Sequence, residues 1–251
     1  MTNTMPEPSS NKHYPKAPII EAVIDLRVEL TSKVVDDLKK VHNGEEVAYP
    51  TIESMNVVTG QMQLGPQMIG STSTEHRGFL FRSADGKLIH QARLDGFTIS
   101  RLAPYPRWED FRAEAFRLWN IYRSVAQPSN IVRVAVRYVN RIDIPLPVND
   151  FGDYLRTVPQ VSPTLPQGLL GYFMQLVMPL EDFKSQAVII ETLIEPTTPN
   201  IVSVVLDIDI FRTADLPSDE AALWALIEQL RNAKNRVFEG CITDKARELF
   251  Q

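Results

Sequence analysis

The sequence predicts an α+β protein: a large twisted antiparallel β-sheet with two long amphipathic helices packed on one face. Three observations predict it. The segment IVRVAVRYVNRIDI (131–144) alternates apolar and charged residues for longer than any other stretch, and KAPIIEAVIDLRVEL (16–30) alternates almost as clearly. Strand segments are grouped ahead of each of two long helical patterns, which suits α+β and not alternating βαβ units. A Trp-bearing helix follows a strand and a Pro-containing loop twice, in DGFTISRLAPYPRWEDFRAEAFRLW and LDIDIFRTADLPSDEAALWALIEQL, which suggests a duplicated strand-loop-helix unit.

Residues 1 to about 16 form a polar arm with Pro and Ser, expected to be disordered, and 17–251 a single α+β domain, or two similar lobes joined near 145–170. In the first strand Ile20, Ala22, Ile24, Leu26 and Val28 face one side and Glu21, Asp25, Arg27 and Glu29 the other, because successive strand side chains point to opposite faces. Thr31 or Ser32 is placed to cap a first helix running to about Val41, and HNGEE breaks it. Strands are expected at Met55–Leu64, Gly78–Ser83, Leu88–Leu94 and Phe97–Leu102. Asp85-Gly86 and Asp95-Gly96 supply the turn chemistry of hairpins between them.

The first long helix places Trp108, Phe111, Ala115, Leu118, Trp119 and Tyr122 on one stripe. The strand 131–144 comes next, with Val132, Val134, Val136, Tyr138, Asn140, Ile142 and Ile144 inward and Arg133, Arg137, Arg141 and Asp143 outward; Pro145 ends it. Asn149 or Asp150 caps a short helix, and VPQVSPTLPQG is the most loop-like internal stretch, a candidate lid or connection. Strands near Tyr172–Met178, Ala187–Ile194 and Ile201–Phe211 precede the second long helix, with Leu223, Trp224, Ile227, Leu230, Val237 and Phe238 inward and Gly240 placed to stop it. Thr243 and Asp244 begin a last short helix.

Composition bounds the function. At 44% hydrophobic and 23% charged the chain is an ordinary globular one, and a net charge of −5 argues against non-specific nucleic-acid binding. One cysteine, Cys241, precludes an intramolecular disulfide or a cysteine-built zinc site. With no run of ~20 apolar residues and no signal-peptide core at the polar start, the expectation is a cytoplasmic protein without a membrane partner. There is no Gly-rich phosphate loop, Gly-x-Ser-x-Gly elbow or His-Glu-x-x-His, and no cofactor is expected.

Four constellations have the makings of a site. Arg133, Arg137 and Arg141 form a row, with Asn140 and Tyr138 nearby, suited to an anionic small molecule, because guanidinium donors match phosphate and carboxylate. The competing reading is a salt-bridge ladder with the acidic strand 19–30. Asp207 and Asp209, sharing one face of a strand, would with Glu21, Asp25 or Asp143 hold a divalent metal for phosphodiester cleavage. His90 lies near Arg93 and Asp95, and shares parity with Ala92 and Leu94, as a core histidine would. The loop before the first long helix offers Tyr105 and Arg107 for stacking and anion contact.

The segments APIIEAVIDLRV, LDGFTISRLAPYPRWEDF, VRYVNRIDIP and LRNAKNRVFEGCITDKARELF together resemble a sporadically distributed bacterial family of about this length, defined by sequence profile and without an assigned activity. The resemblance spans nearly the whole chain. Patchy distribution implies, by analogy, a role in mobile elements or phage defence. The leading expectation is a non-enzymatic module that binds an anionic ligand or a protein partner through a charged sheet face. The alternative is a metal-dependent phosphohydrolase or nuclease using the strand carboxylates.

Overall fold

In the computed structural model, which describes residues 12–32, 34–63 and 69–251, nine strands form one antiparallel sheet. They are β1 (Ile19–Glu29), β2 (Thr51–Gln63), β3 (Ile69–Arg82), β4 (Leu88–Arg93), β5 (Gly96–Leu102), β6 (Asn130–Pro145), β7 (Phe173–Leu180), β8 (Ser185–Ile194) and β9 (Ile201–Arg212). Their order is β2-β3-β4-β5-β1-β6-β9-β8-β7. Three helices complete the α+β fold: α1 (Trp108–Ala126), α2 (Glu220–Cys241) and α3 (Asp244–Glu248).

The connectivity repeats. In the first half β1 is followed by a 3-10 turn at Val35–His42 and a meander β2–β5 whose last strand lies beside β1; α1 comes next. In the second half β6 is followed by a 3-10 turn at Phe151–Asp153 and a meander β7–β9 whose last strand lies beside β6; α2 comes next. The strand-loop-helix segments likened in the sequence are the ends of these halves, β5 into α1 and β9 into α2; the second half has one strand fewer.

The chain divides into two compact units, one of residues 24–101 and 106–133, the other of 1–23, 102–105 and 134–251. The division cuts through β1 and β6, while segment 145–170, expected to join two lobes, lies inside the second unit.

In the first unit the core forms where α1 meets β5. Trp108, Phe111, Ala115, Leu118, Trp119, Tyr122 and Ala126 are buried, the stripe expected from their spacing. Phe97 lies 5.9 Å from Trp119 and 5.8 Å from Tyr122, ring centre to ring centre. The Tyr122 hydroxyl donates to the Arg93 carbonyl (2.8 Å), which satisfies its one polar group. The expected first helix is a 3-10 helix without a side-chain cap. Adjacent β-branched Val34 and Val35 and the stop at Asn43-Gly44 leave too few residues to nucleate an α-helix. β3 starts earlier than expected, because Ile69–His76 pair with β2 while β4 joins only at Gly78.

In the second unit β6 buries Val134, Val136, Tyr138, Asn140, Ile142 and Ile144, and β9 buries Val204, Leu206, Ile208 and Ile210. From α2 come Leu223, Trp224, Leu226, Ile227, Leu230, Ala233, Lys234 and Phe238. Asp219 caps α2 by accepting from the Ala222 amide (2.9 Å), and Thr243 caps α3. Gly240 does not stop α2, which runs to Cys241. Of the expected arm, residues 1–11 lie outside the described residues; Tyr14 is buried and donates to Glu239 (2.7 Å), so the arm's end is docked.

Candidate functional site

The arginine row is distributed over two separate clusters. In the first unit Asp25 is the hub. Its Oδ1 accepts from Thr98 Oγ1 (2.6 Å) and Arg93 Nη2 (3.1 Å), and its Oδ2 from Arg133 Nη1 (2.9 Å) and Arg27 Nε (3.2 Å). Arg93 and Arg27 also reach Asp95, at 3.0 and 2.5 Å. Burial pushes the Asp25 carboxyl upward, but the Thr98 bond and the charges of Arg27, Arg93 and Arg133 together hold it below the usual carboxylate range.

In the second unit Arg137 grips Asp207 with two donors, Nε to Oδ1 (2.8 Å) and Nη2 to Oδ2 (2.5 Å). The partner is diagonal, since the residue opposite Arg137 in register is Asp209. Arg141 bonds Asp143 on its own strand through Nε (3.2 Å) and Nη2 (3.1 Å), and Asp143 Oδ1 accepts from Ser203 Oγ (2.6 Å). Asn140 is buried, its amide donating to the Leu206 carbonyl (3.0 Å). Tyr105 and Tyr138 share a hydroxyl–hydroxyl bond of 2.7 Å, and Arg107 pairs with Asp110 at the start of α1.

The strand carboxylates therefore face arginines: Asp25 the trio, Asp207 Arg137 and Asp143 Arg141. Glu21 acts on Arg137 only through its charge. Among the described residues no three His, Cys, Asp or Glu side chains are grouped to hold a metal ion. His90 points away from Arg93, into the core, stacked on Phe81 at 4.7 Å and edge-on to Tyr49 at 4.7 Å. Among the described residues neither ring nitrogen has a hydrogen-bond partner, and burial pushes its pKa down to about 3, so the ring is neutral.

Arg141 has a further setting. It borders a cleft of about 300 Å³ where the start of β1 meets the end of α3, with Asp143, Lys16, Ile19, Ile20, Leu249 and Phe250 among its walls. The backbone holds the edges together: the Arg141 amide donates to the Pro18 carbonyl (2.8 Å) and the Lys16 amide to the Phe250 carbonyl (3.0 Å). Among the described residues Arg141 Nη1 and Lys16 Nζ meet no protein acceptor, so two cationic donors remain available beside an apolar wall. Sequence reasoning found Arg141 but not Lys16, Leu249 or Phe250, which come from opposite ends of the chain and share no periodic signal.

Lys234 is the other group it missed. On the inner face of α2, its Nζ sits 3.7 Å from the centre of the Tyr138 ring. Burial, then the charge of Arg231, push its pKa down to about 7. Its spacing of four from Leu230 and from Phe238 was the available signal.

Among the described residues no helix is long and apolar enough to cross a membrane. Comparison with protein-family models, with curated proteins and with solved structures finds no match.

Proposed function

We propose that this chain is a non-enzymatic binding module for a small amphiphilic anion, a carboxylate or phosphate head on an apolar body, held in the cleft beside Arg141. The observation that carries the reading is that Arg141 is the member of the row that lines this cleft, where its Nη1 meets no acceptor among the described residues. Arg137 spends two donors on Asp207, and Arg133 serves the buried Asp25. Lys16 supplies a second charge, and Ile19, Ile20, Leu249 and Phe250 supply apolar wall for the body. Asp143 draws on Arg141 from one side, which fixes the guanidinium plane and leaves Nη1 for the ligand. In a chain of net charge −5 such a local pair of cations is what an anion would seek. We read the protein as cytoplasmic.

A thermal-shift screen of the intact protein against octanoate, octyl phosphate and inorganic phosphate tests it. A ligand at about 100 times its dissociation constant stabilises the fold by about 2.7 kcal/mol, a rise of several degrees for a chain of this size. Both amphiphiles should raise the melting temperature, and inorganic phosphate less. A shift that requires a divalent metal would favour hydrolytic chemistry instead.

A further inference from the structure

The two ends of the sheet are finished differently. The edge strand β2 has a register shift between Met55 and Asn56 against β3, and exposed Glu53 lies 3.6 Å from Arg82. Bulges and edge charges are devices by which sheets avoid pairing with other chains. The edge strand β7, FMQLVMPL, has neither: it pairs with β8 in unbroken register from Phe173 to Leu180 and contains no charged residue, and its one edge-blocking residue, Pro179, lies beyond the stretch Phe173–Val177. Among the described residues its free side carries no other strand. Phe173 and Val177 are 67% and 60% exposed, Gln175 between them is exposed, and Leu170 just before the strand is fully exposed.

We propose that β7 is the seam of a homodimer, pairing antiparallel with β7 of a second copy about a two-fold axis at Gln175. That register is self-complementary. Phe173 of each copy lies opposite Val177 of the other, an aromatic–β-branched pair of the kind that stabilises strand pairing, and Gln175 meets Gln175, where the two amides can bond. The charges agree with it. No ionisable group lies along the seam, and Glu181 and Asp182, which follow the strand, are carried to opposite ends, against Leu169 and Gly168 of the other copy. A parallel pairing would set those acids against themselves.

The area decides the strength. A phenylalanine two-thirds exposed offers on the order of 130 Å². With Val177, Gln175, Met178 and the strand backbone this comes to about 500 Å² on each copy, or about 1,000 Å² in total, the lower limit for a specific interface. An interface at that limit is expected to be weak and reversible.

Sedimentation velocity of the intact protein over a two-decade concentration series tests it. The expected result is a sedimentation coefficient rising from monomer to dimer, with Gln175→Lys and Val177→Lys each remaining monomeric at an unchanged circular-dichroism spectrum. Val57→Lys, on the β2 edge, should still dimerise. Gln175→Cys should cross-link to its copy under diamide, because residues opposed at the axis lie within disulfide reach, whereas the native chain, whose Cys241 is buried, should not. A monomer throughout the series, or a dimer that persists in both lysine variants, would overturn the proposal.

Discussion

Lys234→Met isolates the cost of a buried amine. Methionine has nearly the volume of lysine and keeps the contact with the Tyr138 ring, so the substitution removes the charge with little change in packing. Burial, the largest influence, and the charge of Arg231 both disfavour protonation of the amine and together outweigh Glu239, which favours it, so the pKa falls to about 7 from 10.5. A lowered lysine pKa means that the unfolded chain binds the proton more readily than the folded one. Between about pH 7 and 10.5 stability therefore rises with pH. At about 1.4 kcal/mol for each unit of pKa, the native chain loses on the order of 4 kcal/mol at pH 7 and regains about 2 of it by pH 9. Urea unfolding followed by tryptophan fluorescence at the two pH values gives the double difference directly. Lys234→Met should be more stable than the native chain at pH 7, by an excess that shrinks by about 2 kcal/mol at pH 9. An excess that does not change with pH would refute the reasoning, because other groups cancel in the difference.

Three other substitutions probe the frame. Asp25→Asn removes the buried negative charge that Arg27, Arg93 and Arg133 share and should destabilise by about 3 kcal/mol. Because the Asp25 pKa is lowered, the native chain should lose that advantage as the pH falls below the ordinary value of 3.8, so the two unfolding curves converge in acid. Gly78→Ala would drive a Cβ into the Ala92 carbonyl and the Arg93 Cα, both backbone, so thermal unfolding should fall by many degrees or soluble protein be lost. Thr243→Ala removes the bond to the Ala246 amide that caps α3 and should cost about 1 kcal/mol in chemical denaturation.

How much the sequence disclosed depended on whether one face of an element is buried. β1, β6, α1 and α2 sit against a core, so their periodicity was legible, down to Asn140 among the inward residues of β6. The length of the β2–β3 ribbon, which extends past the start of β4, was not. The Asp25–Arg133 pair was among the partners expected for the acidic and basic strands, but the partners of Arg137 and Arg141 were not. Those depend on β9 lying beside β6 and on Arg141 turning to its own strand, neither of which a residue pattern specifies. The cleft was least legible, since Lys16, Ile20, Arg141 and Phe250 meet only through tertiary packing.

The most direct test of the binding reading is isothermal titration calorimetry with octyl phosphate on the native chain, Arg141→Ala and Arg137→Ala. A charge-assisted hydrogen bond contributes about 1.5–3 kcal/mol, so Arg141→Ala should bind roughly 10- to 100-fold more weakly, while Arg137→Ala, which loses only its pairing with Asp207, should bind as the native chain does. Equal binding by the native chain and Arg141→Ala, or no binding by either, would contradict the assignment of the cleft.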